Sequence, residues 1–296
     1  MFDYNEAFSR NIGWVTKEEQ QQLRNSTVAI GGLGGVGGDH TIVLARLGIS
    51  NFHISDLDDY DIANFNRQAG ANMSTVGKPK AAVMEETIRG INPEAKIKNF
   101  DSGIDEDNLE EFLDGVDIYV DSLDIFCLDI RRKVFRRCYE KGIPTITAAP
   151  MGMGTAFLVF KPGAMSFDEY FAIVDPGKNA TDEEKAQIFN DNIMRFIIGV
   201  SPSMQQRHYL VERSSVNIFN KKVPSTCMGI SLAAGTLCTN VLKLLLGRGK
   251  VVCAPRGLHY DAYRNTYIKT WRPWGNKNPM QRIMFWRFKK LLADNT

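Results

Sequence analysis

A short apolar segment, Val28-Ala29-Ile30, leads directly into a glycine-rich loop and then into an apolar segment of helical composition. The loop carries the pattern G-x-G-x-x-G, and its glycines include Gly32, Gly34, Gly35 and Gly37. Glycine permits a tight turn and lets backbone amides approach a phosphate group, which then lies at the N-terminus of the following helix. This feature predicts a strand–turn–helix unit that binds a nucleotide.

A second apolar segment, residues 52–55, is followed by Asp56, which lies about 20 residues beyond the glycine loop. A carboxylate at that place can accept hydrogen bonds from the ribose hydroxyls of a nucleotide. Up to Asp56, the pattern suits a nicotinamide or flavin oxidoreductase as well as an enzyme that uses ATP.

Three polar side chains follow Asp56 along the chain: Asn64, Arg67 and Lys80. Arginine offers a planar fork to phosphate oxygens, and lysine offers a compact positive charge. Because such a cluster beside a phosphate loop suits a triphosphate better than a dinucleotide, Arg67 and Lys80 favour ATP, and we expect both at a partly exposed site. The alternative is a solvated basic loop whose charges contact no ligand.

Several motifs together resemble the signature of the ThiF/MoeB/HesA (E1-like) adenylyltransferase superfamily. They are Asp56-Leu57-Asp58, Asn64-Phe65-Asn66-Arg67-Gln68, Val76-Gly77-Lys78-Pro79-Lys80 and Asp121-Ser122-Leu123-Asp124, together with Ser9-Arg10-Asn11 near the start. The likeness covers most of residues 8–160 and 224–270. It implies an enzyme that transfers AMP from ATP to a carboxylate, commonly the C-terminal glycine of a ubiquitin-like protein, and releases pyrophosphate.

The resemblance also implies roles for individual residues. Asp124 would hold Mg²⁺, Arg10 would reach the ATP phosphates of a second subunit, and Cys227 lies where several relatives keep a cysteine that could take the acyl group as a thioester. Arg67 and Lys80 would position the phosphates. The expected nucleotide-binding set is Gly32, Gly34, Gly35, Gly37, Asp56, Asp58, Asn64, Arg67, Gln68, Lys80, Leu123 and Asp124. The family usually has asparagine where this chain has Ile125.

The alternation of apolar strands and helices predicts an α/β fold. We expect a Rossmann-like, doubly wound, mainly parallel sheet with antiparallel strands at one edge. The 296 residues would form a single E1-like adenylation domain. Its parts would be an N-terminal helical arm (1–25), a nucleotide-binding core (26–160), an inserted lid or interface segment (161–223), a closing helix and strands (224–275) and an amphipathic tail (276–296).

Composition narrows the partners and the compartment. A net charge of +2 gives no signal for a polyanion, so nucleic acid is not expected as a partner. Five cysteines without a C-x-x-C pair argue for a reducing compartment and against the structural zinc site of some relatives. Because the chain shows no signal peptide and no apolar run of bilayer length, the expected location is the cytoplasm.

Several alternatives remain open at this point. The insertion could be a lid that selects the acyl substrate or a dimerisation element of a homodimer. The basic tail is expected to pack on its own domain or on a second subunit, and less so on a membrane. The basic cluster after Asp124 is expected to be a solvated helix face; its members are Arg131, Arg132, Lys133, Arg136 and Arg137.

The acyl substrate is equally open between a sulfur-carrier or ubiquitin-like protein, a peptide and a small carboxylic acid. Two other functions also stay possible. An NAD(P)- or FAD-binding oxidoreductase would use the same glycine loop, although Arg67 and Lys80 count against it. A non-catalytic partner of an active E1-like subunit would fit Ile125 and the missing zinc cysteines.

Overall fold

The computed structural model describes residues 1–216 and 223–293. One sheet contains eight strands: β1 (Thr27–Gly31), β2 (Asn51–Ser55), β3 (Lys96–Phe100), β4 (Ile118–Asp121), β5 (Thr145–Met151), β6 (Gly154–Phe160), β7 (Arg256–Asp261) and β8 (Thr266–Trp271). They lie in the order β3–β2–β1–β4–β5–β6–β7–β8. The first five strands are parallel, and β6 to β8 are antiparallel. This arrangement confirms the predicted fold class.

Helices connect and cover these strands. The α-helices of the described residues are α1 (Tyr4–Ala7), α2 (Lys17–Asn25), α3 (Gly35–Leu47), α4 (Lys80–Ile91), α5 (Leu109–Phe112), α6 (Leu128–Lys141), α7 (Phe167–Phe171), α8 (Asp182–Val200), α9 (Cys227–Leu245) and α10 (Pro279–Ala293). Helices α2, α3, α4 and α9 share one apolar core with the sheet, and α5 to α8 share a second. Both faces of the sheet are therefore covered, as a parallel sheet requires.

Helix α9 corrects the expectation that the chain contains no apolar run of bilayer length. The helix has 19 residues, and an 18-residue window within it has a mean hydropathy of 1.4, so by length and composition alone it could cross a bilayer. One stripe of the helix is buried in the first core, through Ile230, Ala233, Leu237 and Val241. The opposite side carries polar residues, and packing on the sheet accounts for the apolar composition.

The inserted segment is built into the second core. Phe167, Phe171 and Phe196 from α7 and α8 pack with Phe135 and Phe160 in a continuous aromatic cluster. This burial fixes α7 and α8 on the sheet, whereas the choice between a lid and a dimer element stays a prediction. Residues 217–222 of this segment lie outside the described residues.

The C-terminal part of the insertion forms hydrogen bonds with the antiparallel strands and the turn before them. The hydroxyl of Tyr209 donates to Asp261 Oδ2 at 2.8 Å and accepts from the amide of Met153 at 2.9 Å. Ser203 Oγ lies 2.7 Å from Nδ1 of the buried His259. The segment therefore contacts the turn between β5 and β6, which lies at the carboxyl edge of the parallel strands.

Helix α10 lies against α8 of the same chain. Lys289 Nζ is 3.0 Å from Asp191, and the guanidinium of Arg195 stacks over Phe285 at 4.8 Å. Met280 and Ile283 are exposed. The side chains of 288, 291 and 292, which belong to the expected apolar face of the amphipathic tail, lie outside the described residues.

Candidate active site

The glycine loop joins β1 to α3 at the carboxyl edge of the sheet, and sterics require two of its glycines. Gly32 has a φ of +88°, and a Cβ atom there would overlap the backbone of Ser122. A Cβ atom on Gly37 would overlap the carbonyl of Gly32, while Gly34 is the N-cap of α3. The first turn of α3 therefore lies directly over the end of β1, so its amide groups lie where a phosphate would bind.

Asp56 follows β2 and holds the glycine loop. Its Oδ2 accepts from the amide of Leu33 at 2.6 Å, and its Oδ1 accepts from the amide of Asp58 at 2.9 Å. Burial raises the pKa of this carboxyl, and the two backbone donors oppose the rise. The ribose contact of Asp56 stays a prediction. In the structure, Asp56 has a second role, because its hydrogen bond to Leu33 holds the glycine loop against the end of β2.

Lys80 is the first residue of α4, and its ammonium lies 3.0 Å from the carboxylate of Asp58. The residue is only 6% exposed, so the expectation of a partly exposed lysine is wrong. A cation at a helix N-terminus opposes the helix dipole, and Asp58 offsets this cost. The carboxylate of Asp58 therefore fixes the Lys80 ammonium beside Asp56, although the pair as a whole carries no net charge.

Residues 64–68 form the outer wall of the site. Asn64 Oδ1 accepts from the amide of Asp61 at 2.9 Å, and Arg67 Nη1 donates to the carbonyl of Ala63 at 2.9 Å. Gln68 is buried beside Gly34, and its Oε1 has no hydrogen-bond partner among the described residues. An unpaired buried amide oxygen is uncommon, and a bound ligand or a water molecule beside the glycine loop would supply the donor that Gln68 lacks.

The turn from Asp121 to Asp124 is held by Arg131. Its Nε donates to both oxygens of Asp121, at 2.9 and 3.1 Å, while Nη1 donates to the carbonyl of Asp124 at 3.0 Å and Nη2 to the carbonyl of Leu123. Both Arg131 and Asp121 are fully buried. The guanidinium also stacks on the ring of Phe196 from α8, at 4.7 Å.

The expectation of a solvated basic face on α6 is therefore wrong for its first two members. Arg131 is a buried clamp, and Arg132 is bound to Asp168 and Asp175, which raises the pKa of its guanidinium. A signal was present in the sequence, because position 131 falls on the same helical stripe as Leu128, Phe135 and Cys138. A charged residue on an apolar stripe requires a buried partner, and Asp121 is that partner.

Asp124 is exposed at the carboxyl edge, with Oδ1 accepting from the amide of Phe126 at 3.0 Å. Mg²⁺ in nucleotide sites is commonly held by one or two carboxylates, the phosphates and water. A single exposed carboxylate beside a phosphate loop fits that pattern. The described residues contain no group of three or more His, Cys, Asp or Glu side chains that could hold a metal by themselves.

Cys227 begins α9, and its side chain is exposed. The preceding Thr226 caps the helix and donates to the carbonyl of Gly152 at 2.7 Å. Ser225 accepts from the side chain of Asn66 at 3.0 Å. Cys227 is therefore placed between the β5–β6 turn and the 64–68 wall, at the same edge of the sheet as the glycine loop.

Arg10 lies far from this edge in its own chain. Its neighbour Asn11 donates to the carbonyl of Leu47, and Tyr4 donates to the carbonyl of Gly48, both at the C-terminal end of α3. The ends of this helix are about 18 Å apart. Because the glycine loop is at the other end, Arg10 lies too far from it to contact a phosphate bound there in the same chain.

His40 gives a test of the packing behind the site. It is fully buried on α3, with Nδ1 at 2.9 Å from Ser122 Oγ, and burial lowers its pKa to about 3. Below about pH 6.5 the unfolded chain gains a proton at His40 that the native state does not, so acidification should destabilise the fold by up to about 1.4 kcal/mol per pH unit. In urea unfolding at pH 7 and pH 5, His40→Gln should lose less stability than wild type, and equal losses would contradict this assignment.

A model of the ThiF family matches residues 8–283. The tRNA threonylcarbamoyladenosine dehydratase of Bacillus subtilis is 40% identical over 142 residues, which are 48% of this chain and 55% of that protein. The molybdopterin-synthase adenylyltransferase of Salmonella typhimurium is 29% identical over 143 residues, 48% of this chain and 57% of that protein. The chain thus spans little more than half the length of these curated relatives.

Solved structures resemble the whole fold. The crystal structure of E. coli MccB with MccA-N7isoASN has a TM-score of 0.67 and 18% identity, covering 95% of this chain and 75% of that chain. The structure of PaaA has a TM-score of 0.64 and 18% identity, covering 90% of this chain and 73% of that chain. At such identity the likeness concerns the fold, whereas the family match covers the glycine loop, the 56–80 segment and the 121–124 turn alike. The chain belongs to the ThiF family.

Proposed function

We propose that this protein binds ATP at the carboxyl edge of the sheet and transfers AMP to a carboxylate. The observation that carries the proposal is the convergence of the glycine loop, the Lys80–Asp58 pair, the wall around Arg67 and the 121–124 turn at this one edge. In open α/β sheets, ligands bind outside the carboxyl ends of the strands. A lysine and an arginine near the glycine loop suit a triphosphate better than a nicotinamide dinucleotide.

The reaction needs no general base. A substrate carboxylate, already ionised at neutral pH, attacks the α-phosphorus of ATP through one oxygen. The bond from that phosphorus to the bridging oxygen breaks, and pyrophosphate leaves with the electron pair, which gives an acyl-adenylate. Arg67 and Lys80 would orient the phosphates and neutralise charge on the leaving group. Mg²⁺ held by Asp124 and the phosphates would supply further positive charge.

Several classes of molecule can carry the carboxylate that is activated. The names of the relatives cover a tRNA-modification enzyme, a molybdopterin-synthase adenylyltransferase and a ThiS sulfur-carrier adenylyltransferase. A protein C-terminus, a peptide, a small acid or a carboxylate attached to RNA would all undergo the same chemistry. An exposed Cys227 at the same edge could accept the acyl group from the adenylate, with AMP as leaving group.

The phosphate assignment is tested by ATP affinity. Arg67→Met and Lys80→Met should each weaken Mg-ATP binding by about tenfold or more, because each removes a hydrogen bond to a charged group. Isothermal titration with Mg-ATP measures this, and a parallel titration of wild type with NADH should show no binding. Tight NADH binding, or unchanged ATP affinity in both variants, would refute the proposal.

Lys78→Met is the matched control, since Lys78 is an exposed lysine two positions before Lys80. It should bind Mg-ATP like wild type. Because Lys80 is buried, the thermal unfolding midpoint of each variant must be compared first. A Lys80 variant that folds normally and binds ATP normally would show that Lys80 does not contact the phosphates and only pairs with Asp58.

We also propose that the protein forms a homodimer in which each active site contains residues of both subunits. Arg10 cannot reach the glycine loop of its own chain, so it would act on a second copy. Arg10→Ala and Lys80→Met homodimers should each be impaired, while mixed dimers should recover activity in one of their two sites. Turnover after subunit exchange measures this. Mixed dimers with no more activity than either parent would exclude a shared site.

A further inference from the structure

A second concave surface lies away from the candidate active site. It is a groove of about 590 Å³ between the C-terminal half of α9 and the face of β7 and β8, which we call the α9–β8 groove. Four cations line it: Lys243, Lys250, Arg256 and Lys269. Lys243 is about 24 Å along α9 from Cys227, so the groove and the glycine loop are separate surfaces.

The charge of this groove is uncompensated. The lining contains no aspartate or glutamate, and none of its four cations forms an ion pair with a carboxylate in residues 1–216 or 223–293. The whole chain has a net charge of only +2. Net charge is a sum over the whole chain, so a value near zero does not exclude a locally basic surface such as this groove. Four unpaired cations in one concavity attract a polyanion.

Two exposed aromatic rings stand in line with the cations. On β8, Tyr267, Lys269 and Trp271 alternate and therefore lie on one face of the strand, with Tyr267 58% and Trp271 65% exposed. The guanidinium of Arg256 lies 5.9 Å from the ring of Trp271. Alternation of flat rings and cations along one strand is a stacking platform of the kind that holds single-stranded nucleic acid.

Other occupants fit this surface less well. A second copy in an isologous dimer would place the same four cations opposite one another, which is unfavourable. A membrane surface cannot enter a concave groove, and an acidic protein segment would satisfy the cations but offers no stacking partner along β8. Thr236 and Thr239 of α9 also line the groove, and threonine hydroxyls can bond ribose 2′-hydroxyls.

We propose that the α9–β8 groove binds a single-stranded segment of RNA. The cations contact consecutive phosphates, the rings of Tyr267 and Trp271 stack on bases, and the threonines contact the 2′-hydroxyls. This inference goes beyond the adenylation proposed above. RNA binding is measured without ATP and ATP binding without RNA, so the failure of either proposal is recognised separately.

The test uses the full chain and a fluorescein-labelled single-stranded RNA of mixed sequence, about 12 nucleotides long. Fluorescence anisotropy should show that the affinity for RNA falls steeply between about 50 and 200 mM salt. The slope of log affinity against log salt concentration should be roughly proportional to the number of phosphates contacted. Lys250→Ala and Arg256→Ala should each weaken binding several-fold and reduce the salt slope by about one. Trp271→Ala should weaken binding at least fivefold, as loss of one stacked base does.

The controls are matched in chemistry. Arg136→Ala removes an exposed cation of α6, and Trp274→Ala removes a ring that is 67% exposed but outside the groove. Both should bind RNA like wild type. No binding by wild type, equal losses in the controls, equal affinity for DNA of the same sequence, or equal competition by polyglutamate of the same charge would each overturn the assignment.

Discussion

Replacing Arg131 with methionine should lower the free energy of unfolding by about 3–5 kcal/mol, because it leaves the carboxylate of Asp121 buried without its partner. Asp121 and Arg131 are both about 1–2% exposed, so water cannot replace the lost contacts. Arg136→Met on the same helix is the control. Arg136 is 59% exposed by side chain and pairs with Asp168, so its loss should cost less than about 1 kcal/mol.

Urea unfolding of Arg131→Met, Asp121→Leu and the double variant measures the coupling directly. The double variant should be more stable than Arg131→Met alone, since an apolar pair leaves no unpaired charge. Additive losses would show that the two side chains act independently. Arg131→Lys separates folding from function: lysine keeps the charge but cannot serve Asp121 and two carbonyls together. A folded Arg131→Lys should require more Mg²⁺ for ATP binding, because the Asp124 backbone is no longer fixed.

Arg131 also connects the insertion to the candidate active site. Phe196 of α8 stacks on the Arg131 guanidinium that holds the carbonyls of Leu123 and Asp124. Segment 161–223 therefore does more than cover the sheet. Part of it completes the burial of a charge pair directly behind the candidate metal ligand.

The sheet and the glycine loop were predictable from the sequence for a physical reason. Strand, tight turn and helix follow one another within a few residues, so local patterns at Gly32, Gly37 and Asp56 carry the information. Their roles in packing were visible only in three dimensions. Gly32 is required by the backbone of Ser122, which is 90 residues away in sequence, and no local pattern reports that contact.

The charged residues of the site were harder to place. Lys80 was expected at a partly exposed site, because sequence patterns do not show that Asp58 folds back onto it. Arg131 was grouped with its solvated neighbours, since five basic residues in a short stretch suggest a polar face. The apolar stripe through position 131 was the better guide, because burial depends on helical phase and not on local composition.

Changing Asp124 to asparagine should abolish adenylate formation while leaving the fold intact. Asparagine keeps the shape and can still accept from the amide of Phe126, so the 121–124 turn and its Arg131 clamp should persist. A neutral amide binds Mg²⁺ poorly, since Mg²⁺ prefers the hard anionic oxygen of a carboxylate. The stability of Asp124→Asn should therefore lie within about 0.5 kcal/mol of wild type, as for other exposed substitutions.

Two measurements separate the metal from the rest of the site. Wild type should bind ATP more tightly with Mg²⁺ than with EDTA, and Asp124→Asn should lose that difference while retaining the metal-free affinity set by Arg67 and Lys80. Asp129→Asn, an exposed carboxylate in the first turn of α6, should behave like wild type. Cys227→Ser should form adenylate normally, because a thiol can act only on the finished acyl-adenylate. An Asp124→Asn protein that keeps its Mg²⁺ dependence would move the metal to another ligand and leave Asp124 as a turn residue.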